Sequence, residues 1–251
     1  MLCLDEQANK YRSLDEWFLT PQGEHVAQAF AAELKQVSGA FSGLNLLQLG
    51  ACGDNRWLSS LKYRNQWVAS PCVIPNKASM VTSLNLLPID RERIDCVIAP
   101  LTLEAFSGNK NPIDEIDRIL KPMGYAIFFG INPISFWGAS LHWGHLACFG
   151  SFSSTLTSAL TVKRAMFSRG YRQCALTSFY YIPPVTREFL IQKLGFFNEM
   201  GKMLWPFPAA FYCLIVQKYQ PCHPSLVFEA AERALSPFSA TGASTVFSKL
   251  K

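Results

Sequence analysis

The chain has 251 residues, of which 49% are hydrophobic and 16% are charged. This composition excludes an intrinsically disordered protein and predicts a folded domain with a large apolar core. The net charge of +5 is modest and the basic residues are scattered, so no nucleic-acid partner is expected. The 8 cysteines include no C-x-x-C pair and mostly lie in apolar runs, which favours a reduced, cytoplasmic protein.

The N-terminal segment is too rich in charged residues to be predicted as a signal peptide. Apolar residues at helical spacing then predict a helix over residues 14–37. Ser13 or Asp15 is the expected N-cap, and a break is expected near Thr20 and Pro21.

A glycine turn follows this helix. The apolar run from Leu44 to Leu49 ends at Gly50, and Gly53 comes three residues later, before a predicted helix over about residues 55–63. Without a Cβ, both glycines can take positive φ and let a ligand approach the backbone. This order is typical of the first βα unit of a nucleotide-binding domain, although G-x-G-x-x-G is not met and an ordinary turn is the alternative.

Further strands alternate with helices along the chain. Apolar runs predict strands at residues 66–70, 79–82, 94–99 and 125–129, and helices over residues 112–120 and 186–194. Two later runs, residues 202–206 and 211–216, are expected to form a hairpin. The predicted fold class is α/β, a Rossmann-like, doubly wound, seven-stranded sheet that is mostly parallel with a C-terminal antiparallel hairpin.

A long segment without charged residues lies between Lys121 and Lys163. Glycines interrupt it, so a membrane-spanning helix is not predicted. We interpret residues 131–185, which are rich in aromatic residues, as a lid or insertion, and contact with a membrane surface stays open. A single domain is expected over residues 1–219, followed by a weakly ordered tail over residues 220–251.

The order of these elements resembles that of the class I S-adenosylmethionine-dependent methyltransferases, in particular the bacterial methyltransferase type 11 group. The glycine turn LQLGACGDN is similar to the first motif of that family, and VTSLNLLPIDRERIDCVIAPLTLEAF is similar to its adenine loop and fourth strand. PIDEIDRILKPMGYAIFFGINPISFWG and LWPFPAAFYCLIVQKY are similar to its fifth-strand segment and its closing hairpin. The resemblance covers roughly residues 40–218.

The resemblance implies that S-adenosylmethionine is the cofactor and that a small or lipophilic molecule accepts the methyl group. The implied cofactor-binding residues follow the first, third and fourth strands: Gln48, Gly50, Ala51, Cys52, Gly53, Leu86, Leu87, Pro100, Leu101 and Thr102. The candidate substrate-binding residues are Asn132, Trp137, Tyr180 and Tyr181. Glu104 and Asn132 are the candidates for a catalytic group, with Glu104 as a base or as the residue that orients a substrate amine.

Each of these side chains also has a purely structural interpretation. Glu104 can be a surface carboxylate, Asn132 can end a strand in a tight turn, and the aromatic residues can belong to the core. His142 and His145 have the spacing of metal ligands, but Gly144 argues against a rigid helix between them, so no metal site is predicted.

Two departures from the family pattern favour an alternative function. Gln48 stands where the family usually has an acidic residue, and no carboxylate follows the second strand near Ser70. The loss of one charge-assisted contact to the cofactor lowers its affinity by about 1.5–3 kcal/mol. The alternative is a non-catalytic relative that keeps the fold for contact with a protein or a membrane surface.

Overall fold

The computed structural model describes residues 2–37, 39, 41–106, 112–144, 147–150, 154–196, 198 and 208–219. The strands are β1 (Ser42–Leu49), β2 (Lys62–Ser70), β3 (Met80–Val81), β4 (Ile94–Pro100), β5 (Leu120–Ile131), β6 (Tyr171–Phe179) and β7 (Phe211–Lys218). The helices are α1 (Leu2–Phe18), α2 (Pro21–Val37), α3 (Thr102–Ala105), α4 (Ile113–Ile119), α5 (Phe136–His142), α6 (Ala159–Phe167) and α7 (Glu188–Leu194). Short 3-10 turns lie at Arg56–Ser60 and Ala147–Phe149.

The strands form one seven-stranded sheet in the order β3-β2-β1-β4-β5-β7-β6. The first five strands along the chain are parallel, whereas β7 runs antiparallel to both β5 and β6. The predicted fold class is therefore confirmed. None of the helices in the described ranges is long and apolar enough to cross a bilayer.

The antiparallel end of the sheet is assembled from distant parts of the chain. The predicted strand at residues 211–216 is confirmed within β7, but its predicted partner at residues 202–206 lies outside the described residues. The edge strand beside β7 is instead β6, which lies within the segment predicted as a lid or insertion. The segment over residues 131–185 also contributes α5 and α6. The predicted tail over residues 220–251 lies outside the described residues.

The N-terminal region forms two helices, where the sequence predicts a single helix with a break. The break is at the predicted place, because the hydroxyl of Thr20 accepts a hydrogen bond from the Gly23 amide and Pro21 begins α2. However, α1 begins at Leu2, well before the predicted start at residue 14. The additional turns carry many polar residues, so their apolar pattern is weak in the sequence.

The predicted helix over residues 55–63 is wrong in its length and type. The chain makes only the 3-10 turn Arg56–Ser60, and β2 has already begun at Lys62. Asn55, which precedes the turn, has a left-handed φ of 48°. Side-chain hydrogen bonds compete with a regular helix here, since the Ser60 hydroxyl donates to the Trp57 carbonyl oxygen.

A cluster of aromatic rings joins the N-terminal helices to the sheet. Phe30 of α2 stacks on Phe129 of β5 with ring centroids 4.3 Å apart, and it forms a T-shaped pair with Phe211 of β7. Trp17 of α1 contacts Trp137 of α5 at 6.0 Å. Because these rings are buried, α1 and α2 belong to the same core as the sheet.

Asp95 ties together three segments at the amino end of the sheet. Its Oδ2 accepts hydrogen bonds from the Leu44 and Asn45 amides at 3.2 and 2.8 Å, and its Oδ1 accepts one from Lys121 Nζ at 2.8 Å. Burial alone would raise the pKa of Asp95, but these three bonds together outweigh it and hold the pKa below its ordinary value.

We predict that Asp95→Ala lowers the free energy of unfolding by about 2 kcal/mol at neutral pH, because two backbone amides and one ammonium lose their acceptor. Since the pKa is lower in the folded state, this contribution is present above the ordinary value of 3.8 and is lost as the pH falls through the folded-state value. Urea unfolding at neutral and acidic pH measures both effects. Asp90→Ala is the control, because Asp90 is exposed and its removal should change stability by less than about 0.5 kcal/mol.

Candidate functional site

The candidate site lies where the order of strands reverses, at the carboxyl ends of β1 and β4. These strands are neighbours and parallel, and ligands of open α/β sheets bind at such a point. The glycine turn follows β1, and Pro100 to Thr102 end β4 and begin α3. The hydroxyl of Thr102 donates to the Leu49 carbonyl oxygen at 2.9 Å and so joins the two segments. The structure thus brings together the predicted residues of the first and fourth strands.

The glycine turn has the backbone shape that its sequence predicts. Gly50 has φ 90° and Gly53 has φ 54°, which is the left-handed region that favours glycine. Inside the turn, the Gln48 amide donates to the Gly50 carbonyl oxygen and to Asn55 Oδ1, and its oxygen accepts from Trp57 Nε1. Both amide hydrogens of Gln48 are therefore used within the protein, where they hold the turn in shape.

Helix α1 covers the outer side of the glycine turn. The ring of Tyr11 is fully buried against Gly50, and a Cβ on Gly50 would lie only 2.2 Å from that ring. Phe18 lies in the same way against Gly53, where a Cβ would be 2.9 Å from the Phe18 Cβ. The missing side chains of the two glycines are thus what allows α1 to pack here.

Asp15 of α1 reaches into the same turn. Its Oδ1 accepts a hydrogen bond from the Gly53 amide at 2.8 Å, and Lys77 Nζ lies 3.1 Å from each of its carboxylate oxygens. The Asp15 side chain is only 11% exposed. Asp15 is therefore not the N-cap that the sequence predicts but an acceptor for the glycine turn.

The remaining residues of the turn are enclosed. Ala51 and Cys52 are fully buried. Burial raises the pKa of the Cys52 thiol well above its ordinary value, and the nearby Asp15 carboxylate raises it further. Cys52 is therefore a neutral thiol and not a nucleophile at physiological pH.

Two predicted cofactor contacts follow β3. Leu86 is 76% exposed, whereas Leu87 is buried. The Leu87 amide donates to Glu115 Oε2, and its carbonyl oxygen accepts from Arg118, so α4 fixes this loop. At the end of β2, the buried Ser70 hydroxyl accepts from the Cys72 amide, and no acidic residue occurs in the sequence between Ser70 and β3.

At the end of β4, Leu101 has a left-handed φ of 49°, which is uncommon for a residue with a Cβ. Its amide donates to the Phe129 carbonyl oxygen at 2.9 Å, and its side chain is buried. The strained backbone carries the chain from β4 into α3 directly behind the glycine turn.

The cofactor that the resemblance implies does not fit this conformation of the site. Tyr11 fills the space in front of Gly50, and the amide of Gly53 is bonded to Asp15. A ligand that approaches the turn must first displace these side chains of α1.

The predicted substrate residues lie in a packed junction. Trp137 is buried and donates to the Ile182 carbonyl oxygen at 2.8 Å, and its ring lies 5.8 Å from that of Tyr180. Together with Tyr181, which is half-buried, they border a cavity of only about 10 Å³, which is about the space of one water molecule. Asn132 links the end of β5 to the start of β7. Its backbone amide donates to the Ala210 carbonyl oxygen, and its side-chain amide donates to the Ala209 carbonyl oxygen.

Glu104 is not a surface carboxylate, because its side chain is fully buried. Its Oε1 accepts from the Ile131 amide at 3.1 Å, and its Oε2 has no hydrogen-bond partner in the structure. Burial raises the pKa of Glu104 to about 8, so the residue holds a proton at neutral pH. At neutral pH the acid form of Glu104 therefore predominates over the carboxylate.

Four residues of the site, Tyr11, Asp15, Asn55 and Lys77, were not among those that the sequence predicts to bind a ligand. The spacing of Tyr11, Leu14 and Phe18 is that of an apolar helical stripe, so the extension of α1 toward the N-terminus carries a signal in the sequence. Of the two histidines with the spacing of metal ligands, His145 lies outside the described residues. Within the described ranges, no group of three or more His, Cys, Asp or Glu residues could hold a metal ion.

Comparisons with known proteins identify the fold. No protein-family model and no curated protein sequence matches the chain. Among solved structures, a Haloferax volcanii protein described as a methyltransferase in complex with the Trm112 methyltransferase activator has a TM-score of 0.59 and 16% identity over 85% of this chain and 99% of its own. An S-adenosylmethionine-dependent methyltransferase from Archaeoglobus fulgidus has a TM-score of 0.53 and 13% identity over 76% and 94%.

A third structure in the comparison contains ligands. It is a geranyl diphosphate C-methyltransferase from Streptomyces coelicolor with bound Mg²⁺, geranyl diphosphate and S-adenosyl-L-homocysteine. Its TM-score is 0.51 and its identity 13%, over 78% of this chain and 81% of its own. At these identities the likeness establishes the fold, which is the Rossmann-like fold of S-adenosylmethionine-dependent methyltransferases.

We predict that Glu104→Gln changes the pH dependence of stability. The carboxyl titrates near its ordinary value of 4.5 in the unfolded chain and at about 8 in the folded protein. Between these values the folded protein keeps a proton that the unfolded chain releases, so this group lowers stability by roughly 1.4 kcal/mol per pH unit as the pH rises. The stability of the variant relative to the wild type should therefore rise by about 3 kcal/mol over two pH units within this range.

Urea unfolding of both proteins at several pH values in this range tests the prediction. Glu16→Gln on the exposed side of α1 is the control, and its stability should follow the wild-type curve. A Glu104→Gln curve parallel to the wild-type curve would contradict the buried, protonated state of Glu104.

Proposed function

We propose that this chain, which has the class I methyltransferase fold, is an S-adenosylmethionine-dependent methyltransferase that acts on a small or lipophilic acceptor. The observation that carries the proposal is the turn from Gly50 to Gly53. It has positive φ at both glycines and lies at the carboxyl end of β1, where the order of the strands reverses. This backbone shape allows close approach of a ligand at the place where open α/β sheets bind their ligands.

The chemistry of the surrounding residues is consistent with methyl transfer. A sulfonium donor is already activated, so such an enzyme mainly needs alignment and exclusion of water. Glu104 and Cys52, which are neutral at physiological pH, therefore need not act as a base or a nucleophile. The proposal requires a second conformation in which Tyr11 has left Gly50.

An apolar acceptor is supported by the surroundings of α3. A cavity of about 110 Å³ adjoins this helix and is lined mainly by apolar side chains and threonines, among them Leu103, Phe106, Ile113 and Val162. The neighbour from Streptomyces coelicolor, a geranyl diphosphate C-methyltransferase, has an isoprenoid ligand, which supports a lipophilic acceptor in this proposal. The cytoplasmic location that we propose is supported by free thiols, since all six cysteines with described side chains are unpaired.

The second candidate is a non-catalytic protein with the same fold that contacts a protein or a membrane surface. It is favoured by the packing of Tyr11 against Gly50 and by the lack of an acidic residue after β2. The Haloferax volcanii neighbour was solved with a protein activator, so this fold also supports a protein contact.

We predict that S-adenosyl-L-homocysteine binds the full chain and raises its thermal unfolding temperature in a saturable way, because a ligand that binds only the folded state stabilises it. Calorimetric titration gives the dissociation constant. NAD is the control ligand and should not bind, since the dinucleotide fingerprint is not met. Glu16→Ala, which removes an exposed carboxylate of α1, should bind as the wild type does.

A lack of binding at millimolar S-adenosyl-L-homocysteine, both in the wild type and in the variants of the next section, would favour the non-catalytic candidate. Transfer of a labelled methyl group to lipophilic acceptors would then not be expected either.

A further inference from the structure

The contacts of Asp15 have the features of a carboxylate-binding site. Three polar contacts hold this carboxylate: one from the Gly53 amide at 2.8 Å and two from Lys77 Nζ at 3.1 Å. A backbone amide in a positive-φ turn and an ammonium group are typical partners for anions. Asp15 comes from α1, whereas both of its partners belong to the loops at the carboxyl ends of β1 and β2.

The site is enclosed, because the Asp15 side chain is 11% exposed and that of Lys77 is 24% exposed. Tyr11 lies one helical turn before Asp15 and therefore on the same face of α1. That single face places a ring against Gly50 and a carboxylate on Gly53. Both glycines of the candidate ligand site are thus covered by side chains of one helix.

We infer that the Gly53 amide and Lys77 form a subsite for the carboxylate of a ligand, and that Asp15 occupies this subsite as an internal competitor. Helix α1 is then an autoinhibitory segment. The inference rests on the proposed function, because the ligand carboxylate is that of the amino-acid part of S-adenosylmethionine or S-adenosyl-L-homocysteine. A ligand binds only to molecules in which Asp15 has left the subsite, so its apparent affinity falls in proportion to their fraction.

The packing of α1 also determines which of its side chains must leave the site when a ligand binds. Trp17 and Phe18 at the end of the helix pack into the aromatic core, where Phe18 contacts Phe30 and Trp57. The competition therefore concerns Tyr11 and Asp15, while the end of α1 stays anchored in the core.

The test compares a ligand that contains the amino-acid part with one that lacks this whole part and therefore the carboxylate. S-Adenosyl-L-homocysteine carries an amino-acid carboxylate, and adenosine lacks it. In calorimetric titrations, Asp15→Ala should bind S-adenosyl-L-homocysteine at least tenfold more tightly than the wild type does. The affinity for adenosine should change by less than threefold.

Lys77→Met in the Asp15→Ala background identifies the cation of the subsite. This double variant should lose at least tenfold in affinity for S-adenosyl-L-homocysteine relative to Asp15→Ala, with little change for adenosine. Glu16→Ala removes an exposed carboxylate from the neighbouring position of α1 and should bind both ligands as the wild type does.

A second measurement needs no ligand. Hydrogen exchange of the Gly53 amide should be slow in the wild type and in Glu16→Ala, and fast in Asp15→Ala. If Asp15→Ala does not fold, Asp15→Asn replaces it, because an amide oxygen still accepts from Gly53 but no longer attracts Lys77. Asp15→Asn should give a smaller gain in affinity in the same direction.

The results separate this inference from the proposed function. Equal affinity of the wild type and Asp15→Ala for S-adenosyl-L-homocysteine, or equal gains for both ligands, would overturn the inference and leave the proposed function standing. No binding by any variant, together with faster Gly53 exchange in Asp15→Ala, would overturn the proposed function and with it the ligand that we assign to this subsite. If hydrogen exchange of the Gly53 amide were the same in Asp15→Ala as in the wild type, the inference that Asp15 occupies the subsite would be overturned.

Discussion

The close packing of α1 against the glycine turn is the constraint on which the other features of the site depend. Gly50 and Tyr11 are so close that a single added Cβ would collide with the ring. Because α1 lies at this depth, Asp15 reaches the Gly53 amide and Trp17 reaches the aromatic core. In nucleotide-binding folds, such glycines let the nucleotide approach the backbone closely. Here the two glycines allow a helix of the same chain to approach in the same way.

Backbone groups of the glycine turn form hydrogen bonds with side chains on both of its sides. On the inner side, Gln48 and Asn55 form hydrogen bonds with its backbone, including the Gly50 carbonyl oxygen and the Cys52 amide. On the outer side, Asp15 accepts from Gly53. Since a buried polar group without a partner is costly, these bonds stabilise the closed conformation in the absence of ligand. A ligand must replace the bonds of Asp15, whereas those of Gln48 can stay.

The sequence predicted the parts of the structure that depend on local pattern. The carboxyl-terminal halves of β1 and β5 and most of β4 and β7 are mainly apolar runs, as expected for strands buried on both faces. β6 was missed because its exposed and buried residues mix irregularly, with a register shift between Gln173 and Ala175. The glycines of the site were found from their spacing, but the roles of Asp15 and Lys77 depend on contacts between residues 62 positions apart, which no local pattern contains.

The position of β7 affects the order in which the sheet can form during synthesis. β7 is the last of the seven strands to leave the ribosome, yet it lies between β5 and β6. Until it emerges, one edge of β5 is open and β6 lacks the only strand with which it pairs in the described sheet. The open edge is apolar, with Phe128 and Phe129 near its end, and such edges pair readily with other chains. The nascent protein therefore carries an aggregation-prone edge until nearly the whole domain has been translated.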